Sequence, residues 1–411
     1  MNDSSDSLWD RFRGVVSTVP SVLASRFVSD HRPANVQIRE AMGPLGVRVF
    51  CGWSSALYRD DSYYVQPLTS ELVKRLSVET DPFWKTAERA LFLAYRDGNL
   101  VGRVAAVLDH ERQRVKSDRT GQFGWFECIN DPAVAGALFD AARAWLRVHG
   151  CDAIEGPYNP SATDEHGILV EGFETRPAVM EGHHRPYYES LVESAGLTRL
   201  REAYAWLVKA PKDKADLASI FPDKLTRAAT RARSKPGVRT RALDLTRWDD
   251  EVGQAFHLFN RAMSTVDEFV PMDESSFRAL CASFRPIVDA ELIKLLEIDG
   301  RMVGYAMVIP DINEALQLAH GSLDPVSAVR VYMKAKKLTR ACFKVLVIDP
   351  DFRQRGLESM LIEDAARAMI DKGYLEADLS LTAEENVKIN WILAGLGFTI
   401  YRRYRTYRGS L

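Results

Sequence analysis

The stretch "VLVIDPDFRQRGLE", residues 345–358, decides the fold of the C-terminal half of this chain. It closes an apolar run and leads into "LIEDAARAMIDKGY" (361–374), whose apolar residues recur at helical spacing. A strand, a short turn with one glycine and a helix are therefore predicted. Such a turn leaves the first amide N–H groups of the helix unpaired, and these groups form a common phosphate site. Glu358 is expected to point to solvent, where it suits the helix dipole, because a carboxylate facing the turn would weaken phosphate binding.

Length and composition are those of an ordinary globular protein. The chain has 411 residues, of which 46% are hydrophobic and 27% charged, and its net charge is −2. This length predicts two domains or more. The balanced charge provides no general attraction for nucleic acid, so no nucleic-acid partner is expected. No apolar run is long enough to span a membrane.

Cysteine and histidine usage indicates a reduced, metal-free protein. The five cysteines are scattered and form no CxxC motif, which predicts free thiols and a cytoplasmic location. The histidines form no HExxH motif and only one adjacent pair, His183 and His184. Adjacent positions of a helix or strand point in different directions, so no metal cofactor is expected.

The sequence contains two copies of one unit. Three segments of the first half match three of the second in the same order: "YRDGNLVGRVAAVLD" (95–109) with "EIDGRMVGYAMVIPD" (297–311), "DAARAW" (140–145) with "DAARAM" (364–369), and "AGLTR" (195–199) with "LGFTI" (396–400). The first pair is typical of a β-hairpin with an Asp-Gly turn. The second pair lies in amphipathic helices. Each unit is therefore predicted to run hairpin, strand, helix, strand, helix, strand.

The repeat predicts four segments, and two of them lie outside the repeated units. Residues 8–27 have apolar side chains at helical spacing with arginines among them, which predicts a helix on the protein's own surface or on a membrane surface. Residues 224–241 are basic without any acid. They suit a solvated linker helix or a site for a phosphate-bearing ligand or anionic lipid head group. The segments are an amphipathic segment (1–40), a first unit (41–210), a basic linker (211–236) and a second unit (237–411).

The second unit resembles the GNAT acyltransferase superfamily. Pro350, Arg353 and Gly356 follow an apolar strand at the spacing of the superfamily's donor-binding signature, although Glu358 replaces its second small residue. Asn386 precedes a Gly-Phe pair, as in the superfamily. The resemblance implies an α+β fold of mixed α/β elements, with two GNAT-like units. Each unit would be a mixed, mostly antiparallel sheet flanked by helices.

The resemblance also implies an acyl-coenzyme A donor. Its pantetheine arm would pair with strand 344–348 and its pyrophosphate would lie on the amides at the helix start. The corresponding loop of the first unit, 129–134, has no glycine, and Pro132 removes one N–H donor while Asp131 adds a negative charge. The N-terminal unit is therefore predicted to be degenerate and to have lost donor binding. The residues implied in donor binding are Val345, Val347, Arg353, Gln354, Arg355, Gly356, Leu357, Glu358 and Asn386.

Several motifs resemble a bacterial family of tandem GNAT-like N-acyltransferases that includes bacterial ceramide synthases. Among them are "DPFW" (81–84), "GPYNPSATDEHGILVEGF" (156–173) and "YRRYRTYRGS" (401–410). The resemblance implies acyl transfer from acyl-coenzyme A to an amine, in particular a long-chain sphingoid-type base, with peripheral contact at the inner face of the membrane. Three alternatives stay open: an acetyl-coenzyme A-dependent N-acetyltransferase of a small soluble amine, a catalytically silent GNAT-like binding module, and aminoacyl transfer from tRNA.

Acyl transfer to an amine needs a proton acceptor, donors for the oxyanion and a proton for the leaving thiolate. Many GNAT enzymes place a tyrosine acid seven residues after the asparagine, where this chain has Leu393. Tyr305, on the second hairpin strand, is a predicted replacement, and it equally suits a half-buried strand position. The predicted acids compete with an ordinary role in turns and loops. The catalytic candidates are Asp311, Glu314, Glu385, Tyr305 and His166.

Overall fold

The computed structural model describes residues 36–210, 221–266 and 269–411. These residues form a continuous, mostly antiparallel mixed sheet of 13 strands with helices on both faces, and a separate two-stranded sheet. The predicted fold class is thereby confirmed. The predicted N-terminal helix at 8–27 lies outside the described residues. None of the helices in the described ranges combines the length and hydropathy needed to span a bilayer.

The strands follow the two halves of the sequence. Those of the first half are β1 (Val36–Glu40), β2 (Ala87–Arg96), β3 (Asn99–Asp109), β4 (Thr120–Cys128), β5 (Ala153–Gly156), β6 (Tyr158–Asn159), β7 (Glu165–His166), β8 (Ile168–Glu171) and β9 (Thr198–Lys209). Those of the second half are β10 (Val238–Ala242), β11 (Ile293–Ile298), β12 (Arg301–Pro310), β13 (Arg340–Ile348), β14 (Glu376–Ala383) and β15 (Thr399–Ser410).

The helices connect these strands. They are α1 (Gly43–Gly52), α2 (Ser54–Leu57), α3 (Thr69–Leu76), α4 (His110–Lys116), α5 (Pro132–Val148), α6 (Tyr188–Ser194), α7 (Asp223–Arg233), α8 (Trp248–Met263), α9 (Glu274–Phe284), α10 (Asn313–Leu316), α11 (Pro325–Ala335), α12 (Leu357–Asp371) and α13 (Val387–Gly395). Short 3₁₀ turns lie at Pro82–Lys85, Leu245–Arg247, Arg285–Ile287, Ala290–Leu292, Gln317–Ala319 and Pro350–Phe352.

The strand order is nearly symmetric about the centre of the sheet. It is β1-β2-β3-β4-β5-β15-β9-β14-β13-β12-β11-β10, with β8 also paired to β15. The last strand of each half crosses to the other half, because β15 pairs with β5 and β9 pairs with β14. The two units predicted at 41–210 and 237–411 therefore share one sheet. Residues 36–40, at the end of the predicted N-terminal segment, form its edge strand β1.

Local sequence explains the two hairpins and the two main helices. Asp97 and Gly98 between β2 and β3, like Asp299 and Gly300 between β11 and β12, have positive φ at both turn positions, as the tightest right-twisted hairpins require. Helix α5 packs on β2 and β3, and α12 packs on β11 to β13. The basic linker supplies α7, which buries its alanines against α12.

Candidate active site

Strands β13 and β14 separate half-way along their length. They pair in parallel from Arg340 with Glu376 to Phe343 with Leu379, and the ladder between them ends there. Beyond this point β13 stays with β12, whereas β14 stays with β9. The backbone of residues 344–348 therefore faces an open wedge. An extended ligand can pair with such a free strand edge through main-chain hydrogen bonds.

The start of α12 lies at the mouth of this wedge. Gln354 and Gly356 have φ of 61° and 78°, and no side chain caps the helix. Within the described ranges, no protein atom accepts a hydrogen bond from the amides of residues 354–359. A Cβ at Gly356 would lie 2.9 Å from the carbonyl oxygen of Ala228 in α7. The chain passes so close to α7 that only glycine fits, and the free amides form a ready anion site.

The side chains of the predicted donor loop mostly hold the loop in place. The Arg353 guanidinium donates to the carbonyl oxygen of Ala262 at 2.6 Å and to Thr265 Oγ1 at 2.9 Å. Arg355 donates to the carbonyl oxygen of Asp351 at 2.8 Å. Leu357 is fully buried in the core beneath α12. Gln354 is exposed, so the loop offers a ligand its backbone rather than these side chains.

Glu358 does not take the expected solvent-facing orientation. It lines the cavity described below, and its Oε2 atom is buried without a hydrogen-bond partner. Lys224 of α7 lines the same cavity, and Arg227 and Arg231 continue along the exposed side of α7. This basic face lies beside the loop because α7 packs against Gly356. The positive charges of this face reduce the repulsion between the Glu358 carboxylate and an anionic ligand.

A large, mainly apolar cavity of about 1260 Å³ begins at the wedge and reaches both faces of the sheet. On the α12 face it is lined by Ser359, Ile362, Ala366, Met369 and Ile370. On the opposite face it is lined by Phe259, Met263, Phe277, Leu280, Phe284 and Met307. Val345 and Val347 of β13 and Ile389 and Ile392 of α13 complete the walls. The volume exceeds the 300–1,000 Å³ typical of drug-sized ligand sites.

Three residues named from the sequence lie on this cavity near α13 and β12. Asn386 lines it and caps α13, since its Oδ1 accepts from the Ile389 amide at 3.4 Å. Leu393 lines it without offering a proton. Tyr305 also lines it, and burial raises the pKa of its phenol well above the usual range. Tyr305 is therefore a neutral phenol that can donate a proton or a hydrogen bond.

His166 lies where the large cavity meets a second, more polar cavity of about 650 Å³ that residues of both halves line. Its Nδ1 is 3.0 Å from the carbonyl oxygen of Asp164. A carbonyl only accepts, so Nδ1 carries the proton and Nε2 is left as an acceptor. Burial lowers the pKa of His166, which keeps the imidazole neutral.

The predicted acids Asp311, Glu314 and Glu385 do not border the large cavity. Asp311 is buried and forms an ion pair with Arg340 at 2.5 Å. Glu314 pairs with Lys334 at 2.6 Å. The Glu385 side chain is 58% exposed and lies 4.0 Å from Arg201. The structure thus brings Tyr305 and His166 to the cavity and places these three carboxylates elsewhere.

One buried carboxylate on the cavity was missed from the sequence. Glu181 belongs to a long connection of the first half, is 5% exposed and lines the large cavity. Its Oε2 accepts from the Tyr404 hydroxyl at 3.2 Å and the Ala178 amide at 3.3 Å, whereas Oε1 has no hydrogen-bond partner in the part of the chain that the structure describes. The surrounding sequence carries no motif that would have marked this residue, because its position depends on contacts between the two halves.

The equivalent wedge of the first half is filled by the chain itself. β4 and β5 pair only from Thr120 to Gln122, and beyond that the Trp125 amide donates to Asn159 Oδ1 at 2.6 Å. At the start of α5, the Asp131 carboxylate accepts from the amides of the next turn at 2.8 and 3.3 Å. The strand edge and the helix start that are open in the second half are therefore occupied by the chain's own side chains in the first half.

Metal ligation finds no support in the described ranges. No group of three or more histidine, cysteine, aspartate or glutamate side chains is arranged there to hold an ion. All five cysteines are free thiols.

No family model matches this sequence. The chain is 31% identical over 389 residues to the bacterial ceramide synthase of Caulobacter vibrioides, covering 93% of this chain and 99% of that protein. It is 29% identical over 385 residues to protein YghO of Escherichia coli, covering 91% and 95%. Among solved structures, a tandem GNAT protein from the clavulanic acid biosynthesis pathway superposes with a TM-score of 0.52 at 12% identity, covering 91% of this chain and 98% of that one. This last similarity shows the tandem GNAT fold.

Proposed function

We propose a substrate pair for this protein from one premise: the chain belongs to the tandem GNAT-like N-acyltransferase family that includes bacterial ceramide synthase. The proposed reaction transfers a long-chain acyl group from acyl-coenzyme A to the amine of a long-chain, sphingoid-type base. The observation that carries the proposal is the apolar cavity of about 1260 Å³ that joins the open wedge to both faces of the sheet.

The donor site proposed here uses the backbone. The pyrophosphate would lie on the free amides of residues 354–359, at the start of α12. The pantetheine arm would run along β13 past Val345 and Val347, where the ladder to β14 has ended. The basic face of α7 supports an anionic donor, and Glu358 opposes it. We expect the net affinity for acyl-coenzyme A to be moderate for this reason.

The size and polarity of the cavity favour long chains over the acetyl alternative. An acetyl group and a small soluble amine would leave most of the volume empty and its apolar walls in contact with water, whereas burial of a chain stabilises binding by about 0.8 kcal/mol per CH₂ group. The cavity has apolar walls on each side of the sheet, which suits one chain from the donor and one from the acceptor.

The chemistry proposed for this site has three parts. The wedge holds the thioester and the amine together, which removes most of the entropic barrier. Free N–H groups of β13 near residues 344–347 stabilise the oxyanion that forms on the thioester carbonyl. The neutral phenol of Tyr305 donates a proton or hydrogen bond to the leaving sulfur, in the role that Leu393 cannot fill.

Peripheral membrane contact is also proposed, through α11. The side chains of Val326, Val329, Tyr332 and Met333 are each more than half exposed, although they are apolar. Arg330 and the lysines that follow α11 are exposed beside them. An exposed apolar helix face with basic neighbours suits an anionic lipid surface, which is where a long-chain base would be collected.

The test is a transfer assay on the purified full-length chain. Palmitoyl- or acetyl-coenzyme A is combined with sphinganine or spermidine, and the products are identified by mass spectrometry. The proposal predicts N-palmitoyl sphinganine as the main product. Acetylated spermidine without long-chain amides would establish the soluble-amine alternative instead. No product at all, together with no binding of either donor by calorimetry, would contradict the enzyme assignment.

A further inference from the structure

We propose that Glu181, supplied by the first half of the chain, takes the proton from the acceptor amine at the site formed on the second half. This inference rests on the N-acyl transfer proposed above. It gives the first half, which has no open donor site, a chemical role in the reaction.

The position of Glu181 is unusual for a carboxylate. The residue is 5% exposed and borders the large apolar cavity, and its Oε1 has no hydrogen-bond partner among the described residues. A buried acceptor without a partner destabilises the fold unless something else occupies it. An ammonium or amine group entering the cavity would supply that missing donor. The backbone supports the same reading, because Met180 has a φ of 65°, and such strained residues cluster at functional sites.

The connection that carries Glu181 is fastened to the second half. The Asn313 side chain donates to the carbonyl oxygen of Pro177 at 3.1 Å, and Arg340 donates to that of Arg176 at 3.2 Å. Ala178 and Val179 are buried against residues of β12 and β13. Asp311, predicted as a base, instead holds the Arg340 side chain that anchors this connection. We therefore assign Asp311 as a positioning residue.

Burial and the charges around Glu181 together set the pKa of its carboxyl group close to neutral pH. Burial raises the pKa of Glu181 to about 7, the Asp378 carboxylate adds to this rise, and Lys344 and Arg402 oppose it. A carboxylate in this range is ionised often enough to accept a proton near neutral pH. The charged and titratable groups that face it are Lys344 on β13, Asp378 on β14, Tyr401, Arg402 and Tyr404 on β15, His183 and Glu165 of the first half, and Asp311 beyond Lys344.

Glu181 also borders a third cavity, of about 270 Å³. The walls of this cavity are partly polar and include Gln66, Arg103, Glu127, Glu165 and His183. A carboxyl group between an apolar and a polar cavity can receive a proton on one side and release it on the other. Such a route keeps water away from the thioester, which protects it from hydrolysis.

In the proposed step, the amine nitrogen forms a bond to the thioester carbonyl carbon, and the carbon–sulfur bond breaks. The proton that leaves nitrogen passes to Glu181, which then releases it to water. The thiolate takes up one proton, either through Tyr305 or from water, so that amine and thioester give amide and thiol.

The experiment compares Glu181→Gln with the wild-type chain, using palmitoyl-coenzyme A and sphinganine. Glutamine keeps the shape and the hydrogen bonds to Tyr404 and Ala178 but cannot take the proton. We expect kcat to fall by about 10²-fold or more, whereas the Kd for palmitoyl-coenzyme A stays within about twofold. For the wild type, kcat/KM should rise with pH through an inflection near 7, because Glu181 acts when ionised. The inflection should be absent from Glu181→Gln and retained, at lower activity, by Glu181→Asp.

Two further variants make the result specific. Glu174→Gln removes an exposed carboxylate from the same connection and should behave as the wild type. His166→Gln tests the other base on the cavity, and it should keep the inflection near pH 7. If Glu181→Gln keeps the wild-type rate and inflection, or if His166→Gln alone loses them, the inference is wrong while the proposed function stands. A wild-type chain that forms no amide would instead overturn the proposed function itself.

Discussion

The two halves of this protein contain the same strand pair, and only one of them is open. β13 and β14 separate after four paired residues, and the wedge leads into a large apolar cavity. β4 and β5 separate after three, and the chain then closes the gap itself, because Asn159 Oδ1 accepts from the Trp125 amide. A Cβ at Gly124 would lie only 2.0 Å from the carbonyl oxygen of Tyr158, so no space for a ligand is left there.

The helices that follow these two strand pairs differ in the same way, since the start of α12 is open and the start of α5 is closed. Helix α12 starts from Gly356 without a side-chain cap, whereas α5 starts from Pro132 and is capped by the Asp131 carboxylate. The cap uses the amides that a phosphate would need, and its negative charge repels one. A few local differences thus distinguish the closed first half from the open second half within the same fold. The first half instead contributes His166 and Glu181 to the shared cavity.

The substitution Gly356→Ala should disrupt the open site of the second half most strongly. The new Cβ would lie 2.9 Å from the Ala228 carbonyl oxygen at a φ that disfavours any side chain, so the loop must move. We expect acyl-coenzyme A binding to weaken by about 10²-fold, since both the strain and the lost amide geometry act on the same site. Calorimetry with palmitoyl-coenzyme A measures the change.

The matched control for this variant is Gly136→Ala in α5. Nothing lies within 4 Å of a Cβ at Gly136, and the substitution should leave binding unchanged and stabilise the helix by about 0.5–1 kcal/mol. Equal binding by the Gly356→Ala chain and the wild type would mean that the donor does not use this loop.

Leu280→Trp tests whether the chain of the amine lies on the face of the cavity opposite α12. Leu280 lines both the large cavity and the more polar second cavity, so a larger side chain narrows the space between the two halves. We expect kcat/KM to fall by about tenfold for an 18-carbon amine and much less for an 8-carbon amine. Leu245→Trp, at an exposed position outside the cavities, is the control. An equal loss for both amines would mean that this part of the cavity does not hold the hydrocarbon chain of the amine.

The connection between β3 and β4 also differs from the connection between β12 and β13. In the first half this connection is the short, charged α4, whereas in the second it includes the exposed apolar face of α11. Replacing Val329 and Met333 together by glutamate should weaken binding to vesicles with anionic phospholipid by about fivefold. Activity on detergent-dispersed substrate should not change.

The control for this surface carries the same charge change elsewhere. Val148 and Leu245 are exposed apolar residues away from α11, and the pair Val148→Glu and Leu245→Glu should bind vesicles as the wild type does in co-sedimentation. If both double variants lose binding equally, net charge rather than α11 sets the interaction.

The smallest expected effect is a gain, from Glu358→Gln. Its carboxylate lies at the cavity wall beside the free amides, so removing the charge should tighten acyl-coenzyme A binding by about threefold at low salt. Asp131→Asn is the equivalent change in the first half and should leave binding unaltered. Weaker binding after Glu358→Gln would show that this residue assists the donor.

The sequence was informative where the physics is local. The Asp-Gly hairpins and the turn at Gly356 follow from short-range chemistry, and the structure contains each of them. The exchange of β9 and β15 between the halves has no local signal, because it depends on which strand edge is free once both units have formed. Glu181 was missed for the same reason. The orientation of Glu358 depends on the packing of α7, which the spacing of residues does not encode.

Hydrogen exchange of the full-length chain with and without palmitoyl-coenzyme A tests the central comparison most directly. We expect the donor to slow exchange of the amides at residues 354–359 and along 344–348, while residues 129–135 at the start of α5 stay unchanged. Protection at 129–135, or no protection at 354–359 under saturating donor, would contradict it.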